Sequence, residues 1–180
     1  MSNGKSKGSS YEREVAKVLT IWVNGIERPY CFWRSPSSGA LQTIADSMDA
    51  SGDLIALRPE GKFMMDRFSV ELKTGYPDSD FMKHFKDNKN NTIEDFWKQC
   101  VRDARKAKRW AMLIFKKKGY QSIIGIEPAI VSTLKEMANL PKSLRLSFEC
   151  DLPDVVFFDF KQFFDIVKPK MIESISLHGA

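Results

Sequence analysis

Short apolar runs alternate along this chain with amphipathic segments, and this alternation limits the folds open to it. The longest apolar runs are Ala111–Phe115 and Val155–Phe158, whose length suits buried strands. A membrane helix needs about 20 apolar residues in a row, so no membrane span is predicted. The chain has 180 residues, of which 43% are hydrophobic, and this length suits one core. We therefore expect a single domain over residues 1–180.

The spacing of the apolar residues predicts elements of both kinds. Helices are expected over residues 11–24, with Ser9 or Ser10 as the N-cap, over 92–109 and over 127–139. Strands are expected at Tyr30–Arg34, Asp53–Leu57, Phe68–Lys73, Ala111–Phe115, Gln121–Ile126 and Pro153–Phe158. A turn at Pro59 would join the second and third strands in a hairpin. This order predicts an α/β fold with a mixed sheet covered by helices.

The charged residues are distributed unevenly, although the formal net charge is only +5. Residues 81–120 carry twelve bases and four acids, whereas residues 35–80 carry four bases and eight acids. Residues 1–10 are expected to be a flexible basic start. An acidic block between basic blocks indicates that the basic side chains bind along a phosphate backbone. The carboxylates would then meet this backbone at one point. Solvated helix faces would also account for the basic residues.

The third predicted strand contains the alternation Val70-Glu71-Leu72-Lys73. Because side chains alternate across a strand, Glu71 and Lys73 share one face while Val70 and Leu72 share the other. If Asp53 opens the neighbouring strand on the same side, two carboxylates and one ammonium converge at one end of the sheet. Such a group is suited to hydrolysis of a phosphodiester.

A divalent cation would remove the repulsion between two adjacent carboxylates. Mg²⁺ prefers oxygen ligands, and it usually takes one or two carboxylates together with water and substrate phosphates. The backbone carbonyl of Leu72 is a further candidate ligand. We expect Asp53 and Glu71 to hold Mg²⁺, for which Mn²⁺ can substitute. Lys73 would orient the nucleophile or stabilise the developing negative charge.

The same residues also have a purely structural interpretation. Asp53 would then cap the start of a strand, and Glu71 and Lys73 would form a charge pair on a hydrated face. An Asp followed by Glu-x-Lys is a weak pattern that occurs by chance in many chains. Asp46 or Asp49 would replace Asp53 as the ligand if the predicted strand register were wrong.

A wider set of residues resembles a known nuclease superfamily. Asp53, Glu71 and Lys73 stand in the signature positions of the PD-(D/E)xK nucleases, with Gly52 in place of the proline. The chain also reads Lys7-Gly8-Ser9-Ser10-Tyr11-Glu12-Arg13-Glu14 and then Arg34-Ser35-Pro36-Ser37-Ser38-Gly39. These segments resemble the archaeal-type Holliday junction resolvases, which also occur in phages. The resemblance implies a restriction-endonuclease-like mixed central β-sheet flanked by helices.

The resemblance fades after about Phe115. Residues 120–180 are therefore expected to be a C-terminal extension of the nuclease core. Its aromatic part would consist of a strand followed by a helix or turn over Phe160–Val167. The phenylalanines there would belong to the core or to a subunit interface.

The resemblance implies roles for residues outside the signature. It implies that Glu12 reaches the metal site, that Arg13 and Arg34 lie near the scissile phosphate, and that the Ser37-Ser38 loop contacts DNA or assists cleavage. The amide of Gln99, on the helix after the Glu-x-Lys strand, would bind the DNA backbone or a water at the metal. Lys5 and Lys7 would add phosphate contacts. Ser9 and Glu12 also match a capping box, in which Glu12 would only satisfy the helix terminus.

Together these features predict a Mg²⁺-dependent DNA endonuclease, most like a Holliday junction resolvase that makes paired nicks in four-way junctions. Its partners would be branched or duplex DNA, and the near two-fold symmetry of a junction predicts a homodimer. One alternative is a restriction-type or general recombination and repair nuclease of the same fold. The other is a DNA-binding protein with an inactive nuclease site.

Further cofactors are not indicated by the sequence. It contains no GxxxxGK[ST] loop, so no nucleotide cofactor is expected. The three cysteines, Cys31, Cys100 and Cys150, are widely spaced and indicate neither a disulfide framework nor a CxxC zinc pair. A reducing compartment is the simplest interpretation. We expect a cytoplasmic protein, in the host cytoplasm if the source is viral.

Overall fold

The computed structural model describes residues 4–35, 52–75, 92–148 and 151–178. The helices in these ranges are α1 Gly4–Asn24, α2 Pro59–Arg67, α3 Thr92–Lys106, α4 Pro128–Lys135, α5 Phe160–Ile166 and α6 Pro169–Glu173. The strands are β1 Phe32–Arg34, β2 Leu54–Ala56, β3 Phe68–Thr74, β4 Trp110–Lys116, β5 Ile123–Ile126, β6 Ser143–Leu146 and β7 Val155–Asp159.

Five strands form the central sheet in the order β3-β4-β5-β7-β6. Strands β3 and β4 run parallel, with Glu71 beside Leu113, and the other neighbours in the sheet are antiparallel. Strands β1 and β2 form a separate antiparallel pair. Gly52, just before β2, forms a parallel bridge to Val70 of β3. The predicted α/β fold, a mixed sheet flanked by helices, is therefore confirmed.

The central sheet separates two hydrophobic cores. On one face, residues such as Val70 and Leu72 pack with α1 and with helices from the second half of the chain. On the other face, Leu113 and Phe157 pack against α3, where Trp97 is fully buried. Because side chains alternate along β3, its charged residues lie on the α3 side of the sheet. The packing of the sheet thus determines which helix the acidic and basic groups meet.

The predicted hairpin between the second and third strands is wrong. Pro59 begins α2 instead of a turn, and proline suits the first position of a helix because its missing N–H has no partner there. Gly61 lets this helix approach β1, since a Cβ at Gly61 would lie 2.9 Å from the ring of Phe32. Strand β2 then pairs with β1, and β3 pairs with β4.

Other boundaries also differ from the sequence-based expectation. Helix α1 begins at Gly4, so residues 4–10 are helical where a flexible start was expected, and Ser9 and Ser10 lie inside the helix. Strand β6 and helix α6 were not predicted. The phenylalanines of β7 and α5 are at most 7% exposed and belong to the core.

Two further findings concern the cysteines and the helices. Cys31 and Cys100 are free and buried. Across the described ranges, no helix combines the length and the apolar character that crossing a bilayer requires.

Candidate active site

The backbone of Asp53 is fixed against β3. Its N–H donates to the Val70 carbonyl at 2.8 Å, and its own carbonyl accepts from the N–H of Ser35 at 2.7 Å. Gly52 has a φ of 86°, and a Cβ there would lie 2.6 Å from the Val70 carbonyl oxygen. Proline cannot adopt this positive φ, and only glycine fits the approach. This geometry explains why glycine stands where the superfamily signature has proline.

The side chain of Asp53 reaches the middle of β3. Its Oδ2 accepts a hydrogen bond from the backbone N–H of Leu72 at 2.7 Å. Leu72 lies between Glu71 and Lys73, so the Asp53 carboxylate lies at the same point of the strand as these two residues. The bridge at Gly52, rather than the predicted hairpin, brings the three residues together.

Glu71, Lys73 and Gln99 form a closed hydrogen-bonded group. Lys73 Nζ lies 2.6 Å from Glu71 Oε1, and Gln99 Nε2 donates to the same oxygen at 2.8 Å. Gln99 Oε1 accepts from Lys73 Nζ at 3.0 Å. The ammonium also lies 5.5 Å from the ring centroid of Phe96, a cation–π distance. Helix α3, which carries Gln99 and Phe96, therefore orients both charged side chains of β3.

The two carboxylates carry an electrostatic cost. Burial raises the pKa of Asp53, while the Leu72 N–H and the positive charge of Lys73 offset part of this rise. Burial also raises the pKa of Glu71, and the nearby Asp53 carboxylate raises it further. The hydrogen bond and the positive charge of Lys73 lower the pKa of Glu71 and so oppose both increases. One ammonium thus faces a buried carboxylate, Glu71, and a half-buried one, Asp53.

Glu12 and Arg34 form an ion pair next to Asp53. Glu12 Oε2 lies 3.2 Å from Arg34 Nε, and the two side chains are 22% and 31% exposed. Burial raises the pKa of Glu12, with Arg34 lowering it and the charge of Asp53 raising it. Arg34 is paired in register with Leu54, directly after Asp53. Because α1 begins at Gly4, the capping-box alternative for Glu12 does not apply.

The other predicted contact residues fall in different places. Arg13 is exposed on α1, where its charge lowers the pKa of Glu12. Lys5 and Lys7 lie in the first two turns of α1. Ser37 and Ser38 lie outside the described residues, as do the alternative ligands Asp46 and Asp49.

Two polar residues near the site were not singled out from the sequence. Asp103 lies one helical turn after Gln99 on α3, and its charge contributes to the raised pKa values of both Asp53 and Glu71. Its spacing of four residues from Gln99 was the available signal. Ser35 is 3% exposed, and within the described ranges its Oγ has no hydrogen-bond partner. No sequence pattern announces such a buried, unpaired hydroxyl.

The donor set is compatible with a hard divalent cation. Over the described residues, no group of three or more His, Cys, Asp or Glu side chains is assembled as a metal site. Mg²⁺ needs only one or two carboxylates, because water and substrate phosphates complete its coordination. Burial and the proximity of the two carboxylates raise the pKa values of Asp53 and Glu71, and a bound cation would favour their charged forms. The residues present therefore fit such an ion.

Comparison with known protein families identifies the chain. The sequence model of the family described as "Phage putative PDDEXK endonuclease" matches residues 3–174. The chain belongs to this family. No curated protein and no solved structure matches it at a significant level.

Membership in the phage PDDEXK endonuclease family confirms the predicted superfamily and the association with phages. The family is one of nucleases, so DNA is the substrate class that membership implies. The match covers both the signature strand β3 and most of residues 120–180. The segment expected to be an extension is thus largely shared with the family.

Proposed function

We propose that this phage-family protein is a divalent-metal-dependent DNA endonuclease with Asp53, Glu71 and Lys73 at its cleavage centre. The hydrogen bond from the Leu72 N–H to Asp53 carries this proposal. This hydrogen bond holds the Asp53 carboxylate beside Glu71, and the carboxylate of Glu71 in turn contacts Lys73. Two carboxylates and one ammonium at one point of a strand can support metal-assisted hydrolysis of a phosphodiester.

Asp53 and Glu71 would hold the metal, together with the Leu72 carbonyl and with Glu12 from α1. When bound, Mg²⁺, or Mn²⁺ in its place, would act as a Lewis acid toward a phosphate oxygen and make a water molecule more acidic. The carboxylates of Asp53 and Glu71 contribute fixed negative charge for the ion. The Leu72 N–H keeps Asp53 in one orientation before any ion arrives.

The basic residues of the site have separate tasks in this proposal. Lys73 is held by Glu71 and Gln99, so its ammonium is oriented in advance toward the nucleophile or the developing negative charge. Arg34 and Arg13 would bind the phosphates on either side of the cleaved bond. Glu12, paired with Arg34, would orient that guanidinium as well as assist the metal.

The exposed cations of α3 support phosphate contacts around this centre. Lys98, Arg102 and Lys106 are exposed on α3, with side chains 55%, 61% and 72% accessible. Their acidic partners in the ion pairs named here lie on the same helix, and such solvent-exposed pairs contribute little to stability. These cations can therefore exchange their partners for phosphates. DNA affinity should fall steeply with salt, with a slope near −0.9 for each duplex phosphate neutralised.

We propose a four-way DNA junction as the preferred substrate and a homodimer as the active form. The support is the resemblance to junction resolvases in the segments around Glu12 and Arg34. A junction has near two-fold symmetry, and paired nicks need two copies of the centre. Within this proposal each protomer would supply one centre.

The test compares labelled four-way junctions, linear duplexes and single strands, each with Mg²⁺, Mn²⁺ or EDTA. We expect paired nicks across the junction with either metal and none with EDTA. Asp53→Asn and Glu71→Gln should lower cleavage by about 10³-fold while leaving DNA binding in EDTA intact. Asp165→Asn, an exposed acid on α5, is the control and should cut normally.

The outcomes separate the competing functions. Equal cutting of linear duplex and junction would overturn the resolvase assignment and favour a general nuclease. No cutting of any DNA with either metal would overturn the enzyme proposal as a whole. Normal cutting by Asp53→Asn or Glu71→Gln would show that the chosen carboxylate is not a metal ligand. A monomer bound to the junction in sedimentation experiments would overturn the dimer.

A further inference from the structure

Arg28, Tyr30 and Trp33 form a partly exposed cation–aromatic stack at the start of β1. The ring centroids of Tyr30 and Trp33 are 5.2 Å apart, and the Arg28 guanidinium carbon lies 5.0 Å from the Tyr30 centroid. Arg28 is exposed, and both rings are half-buried. We call these three residues the β1 stack. The planes of the Tyr30 and Trp33 rings are tilted by 50°, and partly exposed rings beside a cation are suited to receive another flat ring.

The indole of Trp33 differs from the other three in the protein. Trp22, Trp97 and Trp110 each donate Nε1–H to a backbone carbonyl, at 2.7 to 2.9 Å. For Trp33, no acceptor of this N–H occurs in the described ranges; its recorded contact is the Tyr30 ring. A half-exposed indole beside another ring and a cation is typical of a binding surface rather than of core packing.

The charges around the β1 stack are mainly positive. Lys17 lies 2.9 Å from Glu27, and the Tyr30 hydroxyl is a further hydrogen-bond partner of this carboxylate. Lys17 and Arg28 are thus two cations against one acid. An exposed cation beside stacked rings matches a nucleic-acid strand, whose bases are flat and whose phosphates are anionic.

The β1 stack is continuous with the candidate active site along β1. Trp33 directly precedes Arg34, which pairs with Glu12 beside Asp53. At about 3.3 Å per residue, Tyr30 lies roughly 13 Å from Arg34 along the chain if extended. Neighbouring side chains project from opposite faces of a strand, so Trp33 and Arg34 face opposite sides of β1.

This change of face favours a single strand as the occupant. DNA bound at Arg34 must pass around the edge of β1 to reach Trp33. Duplex DNA is stiff, with a persistence length of about 150 bp, and it cannot follow so sharp a path without a large bending cost. An unpaired strand can follow it, and its splayed bases are free to stack on Trp33 and Tyr30.

We propose that the β1 stack binds unpaired bases of the DNA strand that leaves the cleavage site. This inference rests on the proposed nuclease function and specifies its substrate as DNA with unpaired bases beside the cut, such as a branch point. Arg28 binds a phosphate of that strand, and Trp33 provides the terminal stacking face. The surface then selects branched over continuous duplex DNA.

The test measures binding without cleavage. The full-length protein is titrated in EDTA into a labelled 12-nucleotide oligo-dT and into a labelled 12-bp duplex. The dissociation constants are obtained from fluorescence anisotropy. Trp33→Leu should weaken oligo-dT binding by roughly 5- to 150-fold, the range that stacking of one base provides. Trp33→Phe keeps an aromatic face and should stay within about 3-fold of the parent protein. Duplex affinity should change much less than oligo-dT affinity in Trp33→Leu.

Controls separate loss of stacking from loss of structure. Leu144→Ala removes an exposed apolar side chain, 47% accessible, from β6, the edge strand of the central sheet farthest from β3, and this variant should bind both DNAs normally. Thermal unfolding of Trp33→Leu verifies the fold, and Arg28→Gln, at an exposed position, provides a second variant. Arg28→Gln should weaken oligo-dT binding and reduce its salt dependence by about one phosphate.

Three results would overturn the β1 stack as a DNA surface. The first is equal oligo-dT affinity of Trp33→Leu and the parent protein. The second is an equal loss of affinity of Trp33→Leu for oligo-dT and for duplex, which would indicate that the substitution weakens DNA binding of every kind. The third is a changed oligomeric state of Trp33→Leu in sedimentation, which would assign the surface to a protein partner. Failure of the nuclease proposal is distinct, because it would appear as absence of cutting by the parent protein.

Discussion

Gln99 holds Glu71 and Lys73 with the two ends of one amide. Its Nε2 donates to Glu71 Oε1 at 2.8 Å, and its Oε1 accepts from Lys73 Nζ at 3.0 Å. An amide has one donor end and one acceptor end, so each charged group has a defined side of it. Helix α3 thus determines the orientation of both groups that the nuclease proposal places at the phosphate.

Removing this amide should impair cleavage more than DNA binding. We expect Gln99→Ala to lower kcat by about 10- to 100-fold, as loss of an outer partner of a metal ligand typically does. KM for DNA should stay within about 2-fold. Gln162→Ala, on the exposed surface of α5, is the matched control. A raised KM with unchanged kcat would instead assign Gln99 a direct contact to DNA.

Gly52 should be intolerant of any side chain. A Cβ there would lie 2.6 Å from the Val70 carbonyl oxygen and 2.9 Å from its nitrogen. Gly25 has a similar φ of 74° but no atom within 4 Å of a Cβ, so Gly25→Ala isolates the cost of the backbone conformation, about 1–2 kcal/mol.

We expect Gly52→Ala to lose roughly 1–3 kcal/mol more than Gly25→Ala in urea unfolding, because backbone atoms must also move. It should also lower cleavage by about 100-fold, since a displacement of about 1 Å at a catalytic group has that effect. Equal stabilities of the two variants would contradict the close approach of Gly52 to β3.

The features that were predicted correctly from the sequence depend on local patterns of apolar and polar residues. The alternation in Val70-Glu71-Leu72-Lys73 correctly divided this strand between the hydrophobic core and the α3 side of the sheet. The helical spacing of apolar residues located α1 and α3, although not their ends. Family membership was predictable because its signature residues are short motifs in a fixed order.

The sequence did not predict what depends on long-range pairing. Pro59 is equally suited to a turn and to the first turn of a helix, and only the packing of Gly61 against Phe32 decides between them. Strand β6 carries a single buried residue, Leu146, too weak a pattern to find. The position of Asp103 beside the carboxylates depends on how α3 crosses β3, which no local pattern contains.

Asp53 should reduce stability when no metal is present. Burial raises its pKa in the folded state above the unfolded value of about 3.9. The folded state then holds the proton more tightly than the unfolded state, so stability falls as pH rises from the unfolded to the folded pKa. In EDTA at pH 8, Asp53→Asn should therefore melt a few degrees above the parent protein, where 1 kcal/mol corresponds to about 2–4 °C.

The melting difference should shrink as the pH is lowered, because the raised pKa of Asp53 lets the folded state take up the proton before the unfolded state does. Mg²⁺ should reverse it at pH 8, because an ion that binds only the folded parent protein raises its stability by RT ln(1 + [Mg²⁺]/Kd). Calorimetry from pH 4 to 8, with EDTA or with Mg²⁺, checks both statements. A lower melting temperature of Asp53→Asn at pH 8 in EDTA would contradict the burial cost.

Glu127 anchors the end of α3 and so supports the position of Gln99. It is 4% exposed, and its carboxylate accepts hydrogen bonds from the Arg105 guanidinium and, at 3.0 Å, from the N–H of Ala111. Arg105 is 35% exposed and keeps a hydrogen bond to the Arg109 carbonyl, so the main cost of removing Glu127 is the buried N–H of Ala111 left without an acceptor, about 1–3 kcal/mol. We expect Glu127→Ala to lose about this much in urea unfolding.

Glu127→Gln should lose less than Glu127→Ala, since its amide oxygen still accepts from Ala111 and Arg105. The control is Asp165→Asn, which breaks an exposed pair with Lys161 and should leave the urea midpoint of unfolding essentially unchanged. If Glu127→Ala unfolds at the same urea concentration as Asp165→Asn, the pair contributes no more than a surface contact. Helix α3 would then be held by its apolar face alone, through Trp97 and its neighbours.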